Sequence, residues 1–210
     1  MFDEKTDKIN YFLKNSLLTD KQQNPPILYP GKNGEDVESF QRIKRIAILA
    51  DIFVEQGDNL YLYSPNVGNG KTTSAIKIML SYFNLAWRGA YRCAGLFVSM
   101  PRYLVELKAN ISEKSDYIAH INKYINDADL VIWDDISAYS KNSDFELGAI
   151  FNIINNRINA GKSNIFTSNL TPKELENSFG QRLSSRICEN SIQIELSGPD
   201  RRGEWKKESI

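Results

Sequence analysis

The sequence predicts an α/β fold, a mainly parallel sheet sandwiched between helices. Three observations predict it. The apolar runs Leu60 to Tyr63, Leu96 to Ser99, Leu130 to Trp133 and Asn164 to Ser168 lack the polar alternation of half-exposed strands, so both faces should be buried. Three of them run directly into helical patterns, the signature of strands joined by crossover helices. Finally, 210 residues at 41% apolar and 25% charged are enough for one core without disulfides or metals.

Taken in order, Ile9, Phe12, Leu13 and Leu17 recur at helical spacing within Thr6 to Leu18 and predict a short amphipathic helix. Pro25, Pro26, Pro30, Gly31 and Gly34 then mark a linker that cannot be helical. Val37, Phe40, Ile43, Ala47, Ala50 and Val54 predict a helix from Glu35 to Gln56, with Gly57 suited to the left-handed position after its end. Thr171, Pro172 and Glu174 supply an N-cap, a first-turn proline and a capping-box partner, so a helix starts after Leu170. The organisation read from the sequence is therefore 1–34, helix and linker; 35–198, the α/β domain; and 199–210, a polar tail.

Composition excludes several classes of function. With 26 Lys+Arg against 26 Asp+Glu there is no bulk charge for coating nucleic acid or membranes. Cys93, Cys188 and the single His120 match no zinc spacing and read as structural. The N-terminus is charged rather than apolar, and no run approaches the ~18 apolar residues that span a bilayer. The expectation is a cytoplasmic protein with no membrane partner.

The sharpest chemical signal is a strand running into Gly68-Asn69-Gly70-Lys71-Thr72-Thr73 and then a helix. Glycines let backbone N–H groups converge on phosphate, and the helix N-terminus adds its positive end. Lys71 would reach the β and γ phosphates, and the Thr72 hydroxyl would ligate Mg²⁺. Pro65 stands where the longer GxxxxGK[ST] pattern has its first glycine. The strand ending in Asp134 and Asp135 is the second signal: Asp134 would emerge beside the phosphate loop to hold the metal, with Asp135 placed to orient the attacking water. Third, Asn169 follows an apolar strand at the same sheet edge, where it can bond the γ phosphate or serve as an ordinary turn residue. Fourth, Arg182 and Arg186 are four residues apart, hence on one helix face, and Arg182 has no acid at helical spacing to pair with it.

In this order, GNGKTT, IWDDI, TSNL and RLSSRI resemble Walker A, Walker B, sensor 1 and the arginine-finger box of an AAA+ ATPase of the DnaC/DnaI helicase-loader type, in a short, phage-like version. The resemblance spans about Phe40 to Glu195 and extends to IstB-type ATPases. It implies a five-stranded AAA+ core without a full lid domain, assembled side by side with ATP at each junction. By that similarity Arg186 is the finger inserted into the neighbour's site, with Arg182 as helper, and Arg201 or Arg202 stands in for a lid arginine. Asp135 stands where many AAA+ proteins have Glu, which implies slow hydrolysis. The stretches that meet single-stranded DNA in such loaders hold Arg102, Lys108, Lys114 and Phe145, residue types suited to phosphate contact and base stacking.

The function expected is ATP-dependent loading of a hexameric replicative helicase onto single-stranded DNA during replication initiation, with ATP and Mg²⁺ as ligands and self-association through the ATP site. The alternatives are an IstB-type transposition helper and a nucleotide-binding adaptor without significant hydrolysis. The stripe of Ile9, Phe12, Leu13 and Leu17 either docks in a groove of the helicase or folds back on its own domain.

Overall fold

The computed structural model describes residues 3–30, 34–88, 94–112, 116–137 and 143–202. Its strands are β1 (Asn59–Tyr63), β2 (Gly95–Ser99), β3 (Leu130–Asp134), β4 (Ser163–Ser168) and β5 (Ser191–Glu195), all parallel in the order β2-β3-β4-β1-β5. The helices are α1 (Glu4–Asn15), α2 (Asp20–Gln23), α3 (Val37–Ile48), α4 (Ala50–Glu55), α5 (Lys71–Ala86), α6 (Met100–Ser112), α7 (Asp116–Asp127), α8 (Asp144–Asn159), α9 (Pro172–Phe179) and α10 (Gln181–Ser184). A π-helical turn, Ser185–Glu189, leads from α10 into β5.

Alternation along the strands divides the core in two. Tyr61, Val131, Trp133 and Phe166 pack toward α6 to α9, whereas Leu60, Leu62, Ile132 and Ile165 pack toward α3, α4 and α5. The four strands read from sequence are present, and all six residues of β4 are buried, as a central parallel strand requires. The large polar side chains at the strand starts are paired. The Trp133 indole N–H donates to Asn164 Oδ1 at 3.0 Å, and Asn164 Nδ2 donates to Asn59 Oδ1 at 2.8 Å. Arg157, 1% exposed, donates to the carbonyls of Ile125, Ala128 and Ser163 and to Asn164 Oδ1, and so ties the ends of α7 and α8 to the starts of β3 and β4.

Helix boundaries follow local chemistry. Thr171 caps α9 in a capping box with Glu174 behind Pro172, as its sequence predicts, and Ser143 and Glu146 do the same for α8. The helix expected unbroken from Glu35 to Gln56 is instead split at Leu49 (φ −108°, ψ 33°). The bend turns Ala50, Phe53 and Val54 of α4 into the core. Thr19 and Gln22 form a further capping box at α2, inside the stretch read as helix end and linker.

Of the two fates open to the N-terminal stripe, the structure shows folding back on its own domain for most of it. Phe12 is 1% exposed, with its ring centroid 5.4 Å from that of Phe83 on α5. Leu13 packs on the same cluster and Ile9 is half-buried. Leu17 lies beyond the helix at φ 63° and is 51% exposed. The physical reason is the sheet edge: β2 is a terminal strand, and its Phe97 N–H donates to the Ser16 carbonyl at 2.7 Å, which satisfies an edge donor otherwise open to other chains. Leu18, 6% exposed, completes the seam.

Phe12→Ala should therefore cost about 3–5 kcal/mol of unfolding free energy, the range for truncating a buried phenylalanine. Urea denaturation checks this, and a change below about 1 kcal/mol would mean that α1 contributes nothing to the core.

Candidate phosphate-binding site

The parallel sheet brings the carboxyl ends of β1, β3 and β4 to one edge, where such sheets bind ligands. A cleft of about 310 Å³ opens there, lined by Val67 to Thr73, Asp134, Asp135, Thr167, Ser168, Asn169 and Arg202. Residues read separately as the phosphate loop, the acid pair and the strand-end Asn169 thus share one cavity.

The loop from Ser64 to Gly70 is braced from behind. Asn69 is fully buried, its Nδ2 donating to Ser64 Oγ and to the Leu196 carbonyl, both at 2.6 Å. Its side chain is therefore structural, and its backbone faces the cleft. Gly68 (φ 73°) and Gly70 (φ 106°) adopt left-handed conformations that L side chains resist. Among the described residues, the N–H groups of Gly68 to Thr73 donate to no other protein group, whereas Ser74 N–H resumes helical bonding to the Gly70 carbonyl at 2.8 Å. A ring of open donors at a helix N-terminus is an anion site.

Lys71 Nζ donates to the Asn66 carbonyl at 2.8 Å and lies 3.4 Å from the Ser64 carbonyl and from Asn69 Oδ1. Burial lowers its pKa to about 8, an effect that Asp135 and Asp134 oppose and Arg202 reinforces. Asp134 lies opposite. Its Oδ1 accepts from Thr72 Oγ1 at 2.7 Å and from Thr167 Oγ1 at 2.8 Å. Burial raises its pKa despite both bonds.

Asp135 takes a left-handed backbone (φ 57°), a strained state for a residue with a side chain, here fixed by its N–H donating to Thr167 Oγ1 at 2.9 Å. Ser137 Oγ donates to Asp135 Oδ1 and accepts from the Asn169 N–H, each at 2.9 Å. Asp135 and Asn169 are thereby coupled through one hydroxyl. Thr167 and Ser137 escaped the sequence reading; the polar residue just inside the end of an apolar strand was the available signal for Thr167.

The remaining candidates separate. Arg182 is not free: its guanidinium stacks 4.0 Å from the Phe151 ring centroid. The chain passes from α10 into a π turn between the two arginines, so α-helical spacing does not set their relation. Arg186 is half-buried and, among the described residues, has no hydrogen bond or ion pair. Lys108 pairs at 3.1 Å with Glu146, which is 1% exposed, so it serves the α8 cap. Phe145 is 54% exposed, and Arg102 lines a separate cleft that Asp134 also borders. Lys114 and Cys93 lie outside the described residues. Cys188 is buried and His120 packs edge-on against Tyr124. Arg201 is 3% exposed and paired with Asp36, which leaves Arg202 as the tail arginine at the cleft.

Residues 42–194 match the bacterial DnaA ATPase domain family. No curated protein sequence matches the chain. Among solved structures, the DnaC helicase loader is 21% identical with a TM-score of 0.65, over 80% of this chain and 94% of that one. DnaI is also 21% identical with a TM-score of 0.65, over 87% and 96%. The replication initiator DnaA bound to AMPPCP and single-stranded DNA is 18% identical with a TM-score of 0.60, over 89% of this chain and 50% of its own. The shared fold is that of P-loop AAA+ proteins.

A phosphate anion favours the ammonium form of Lys71, so affinity is full below its free-state pKa of about 8 and falls as pH rises through it. ATP should bind roughly tenfold more weakly at pH 9 than at pH 7, and Lys71→Arg should flatten the profile because guanidinium stays charged. Calorimetric titration at the two pH values checks this; equal wild-type affinities would remove Lys71 from phosphate contact.

Proposed function

The chain belongs to the bacterial DnaA ATPase domain family, and from that premise we propose that it is an ATP-dependent loader that places a replicative helicase on single-stranded DNA. The observation that carries the nucleotide reading is the convergence of open loop amides, Lys71, the Thr72 and Asp134 oxygens and Asn169 on one cleft. The loader reading is supported by the likeness in fold to the DnaC helicase loader and to DnaI.

Thr72 and Asp134 offer only oxygen donors, a set that fits Mg²⁺. When bound, Mg²⁺ supplies charge neutralisation on the phosphates. The protein's own groups do the rest. The loop amides and Lys71 hold the β and γ phosphates, and Asp135 orients water toward the terminal phosphate. Asn169 senses that phosphate and shares Ser137 with Asp135, so ligand state passes to the start of α9 through one hydroxyl. Asp135 is one methylene shorter than Glu, which suits a slow switch better than a fast hydrolase.

Arg186, without a partner among the described residues, is the group available to a neighbouring subunit's phosphate, with Arg182 held on Phe151 as its helper. ATP thereby favours side-by-side assembly, and hydrolysis releases it. Exposed Phe145 is the ring offered to a DNA base, and Arg102 and Lys114 supply the cations. Helicase contact through residues 1–34 falls to the apolar side chains that stay exposed there, Tyr11, Leu17, Ile27 and Tyr29.

Loading of the partner helicase onto circular single-stranded DNA should require ATP and fail with Lys71→Ala or Arg186→Ala alone. Mixing the two variants should restore part of the activity, because one supplies an intact cleft and the other an intact finger; trans fingers contribute roughly a thousandfold or more in fast P-loop systems and less in slow ones. Loading without ATP would defeat the loader reading, and no recovery on mixing would defeat the shared site.

A further inference from the structure

Beyond β5 the chain does not leave the domain. Leu196 N–H donates to the Tyr63 carbonyl at 2.9 Å, and the next residues cross behind the phosphate loop. There they meet Asp36, at the entrance to α3. One carboxylate oxygen of Asp36 accepts from Ser197 N–H at 2.5 Å and Ser197 Oγ at 2.9 Å; the other accepts from Gly198 N–H at 2.7 Å and Arg201 Nη2 at 2.9 Å. Both partners of this ion pair are more than nine-tenths buried, and the guanidinium also lies 4.9 Å from the Phe40 ring centroid. A pair so enclosed is fixed in geometry, because either charge alone would be left buried and uncompensated.

What Arg201 does with its other donors gives this pair a consequence for the cleft. Its backbone N–H donates to the Gly68 carbonyl at 3.0 Å, and Nη1 donates to the Asn69 carbonyl at 2.5 Å. A trans peptide is planar, with its C=O and the following N–H pointing in opposite directions. Holding the Gly68 and Asn69 carbonyls toward Arg201 therefore turns the N–H groups of Asn69 and Gly70 to the far side of the loop. Asn69 and Gly70 line the cleft and Arg201 does not. The contact is close: a Cβ on Gly68 would fall 1.9 Å from Asp200 Oδ1. Arg202 follows immediately and does line the cleft.

We propose that Arg201, latched by Asp36, is a positioning residue for phosphate binding: it fixes two peptide groups of the loop so that the Asn69 and Gly70 amides face the anion, and it presents Arg202 at the cleft mouth. This rests on the nucleotide reading of that cleft. The residues from Ser197 to Arg202 are then part of the nucleotide site, although none of them belongs to the phosphate-loop motif.

Arg201→Lys tests this, because lysine keeps the charge opposite Asp36 but lacks a rigid fork that reaches Asp36 and the Asn69 carbonyl together. With the full chain, ATP and ADP should both weaken by about tenfold while the melting temperature stays within a few degrees, as expected for the loss of one charged hydrogen bond that orders the loop. A structural role alone would lower stability and leave the affinity of the folded fraction unchanged. Wild-type affinity in Arg201→Lys would overturn the proposal. A second measurement needs no variant. By linkage, ATP should slow amide hydrogen exchange at Ser197, Gly198 and Arg201 of the wild type together with exchange at the cleft. Protection confined to the cleft would overturn the proposal even if Arg201→Lys does not fold. Failure of the nucleotide reading looks different, since wild-type protein would then bind neither ATP nor ADP.

Discussion

One carboxylate oxygen joins the parts of this site. Asp134 Oδ1 receives the hydroxyls of Thr72, at the start of α5, and Thr167, near the end of β4. These groups come from three elements far apart in sequence, and only the register of the parallel sheet makes them neighbours. Trp133 of β3 is level with Phe166 of β4, and Tyr63 of β1 is level with Ser168. A slip of one residue would carry Asp134 away from Thr72 and Thr167 and turn Trp133 to the opposite face, against α3 to α5. The polar ladder of Trp133, Asn164 and Asn59, with the Arg157 bonds at the strand starts, holds the register from the opposite end of the sheet.

The same site concentrates unfavourable states. Lys71 and Asp134 are both buried enough to be pushed toward neutrality, Asp135 holds a left-handed backbone, and among the described residues the amides from Gly68 to Thr73 are open. Each is costly in a bare protein and is relieved by a polyanion with its counter-ion. Such conflicts, gathered at one cleft, mark where a fold has been shaped for a ligand. The surroundings supply the rigidity: Asn69 braces the loop from inside, and Ser197 to Arg201 brace it from behind.

Local chemistry was legible in the sequence wherever a residue acts through its own neighbours. The four apolar runs, the capping box at Thr171 and the glycine turn before Lys71 all read correctly because spacing along the chain determines them. Ile9, Phe12 and Leu13 read correctly as one face of α1, but Leu17 falls beyond the helix, and the fate of the stripe stayed open. An apolar stripe looks the same whether it meets a partner or Phe83, and the decision lies in the unpaired edge of β2, a property of sheet order. β5, with only Ile194 buried, has too little apolar signal to stand out as a strand. Arg182 looked free because its partner is the ring of Phe151, and a search for acids at helical spacing does not see aromatic rings. The pairing of Asp36 with Arg201, 165 residues apart, carries no sequence signal.

The central claim is that the cleft at the carboxyl ends of β1, β3 and β4 binds a nucleotide through the loop ending in Lys71. The most direct measurement is a calorimetric titration of ATP in Mg²⁺ into the wild type and into Lys71→Ala of equal melting temperature. The account predicts one ATP per wild-type chain and loss of tight binding in the variant. Equal affinity in the two proteins, or no binding by either, would contradict it.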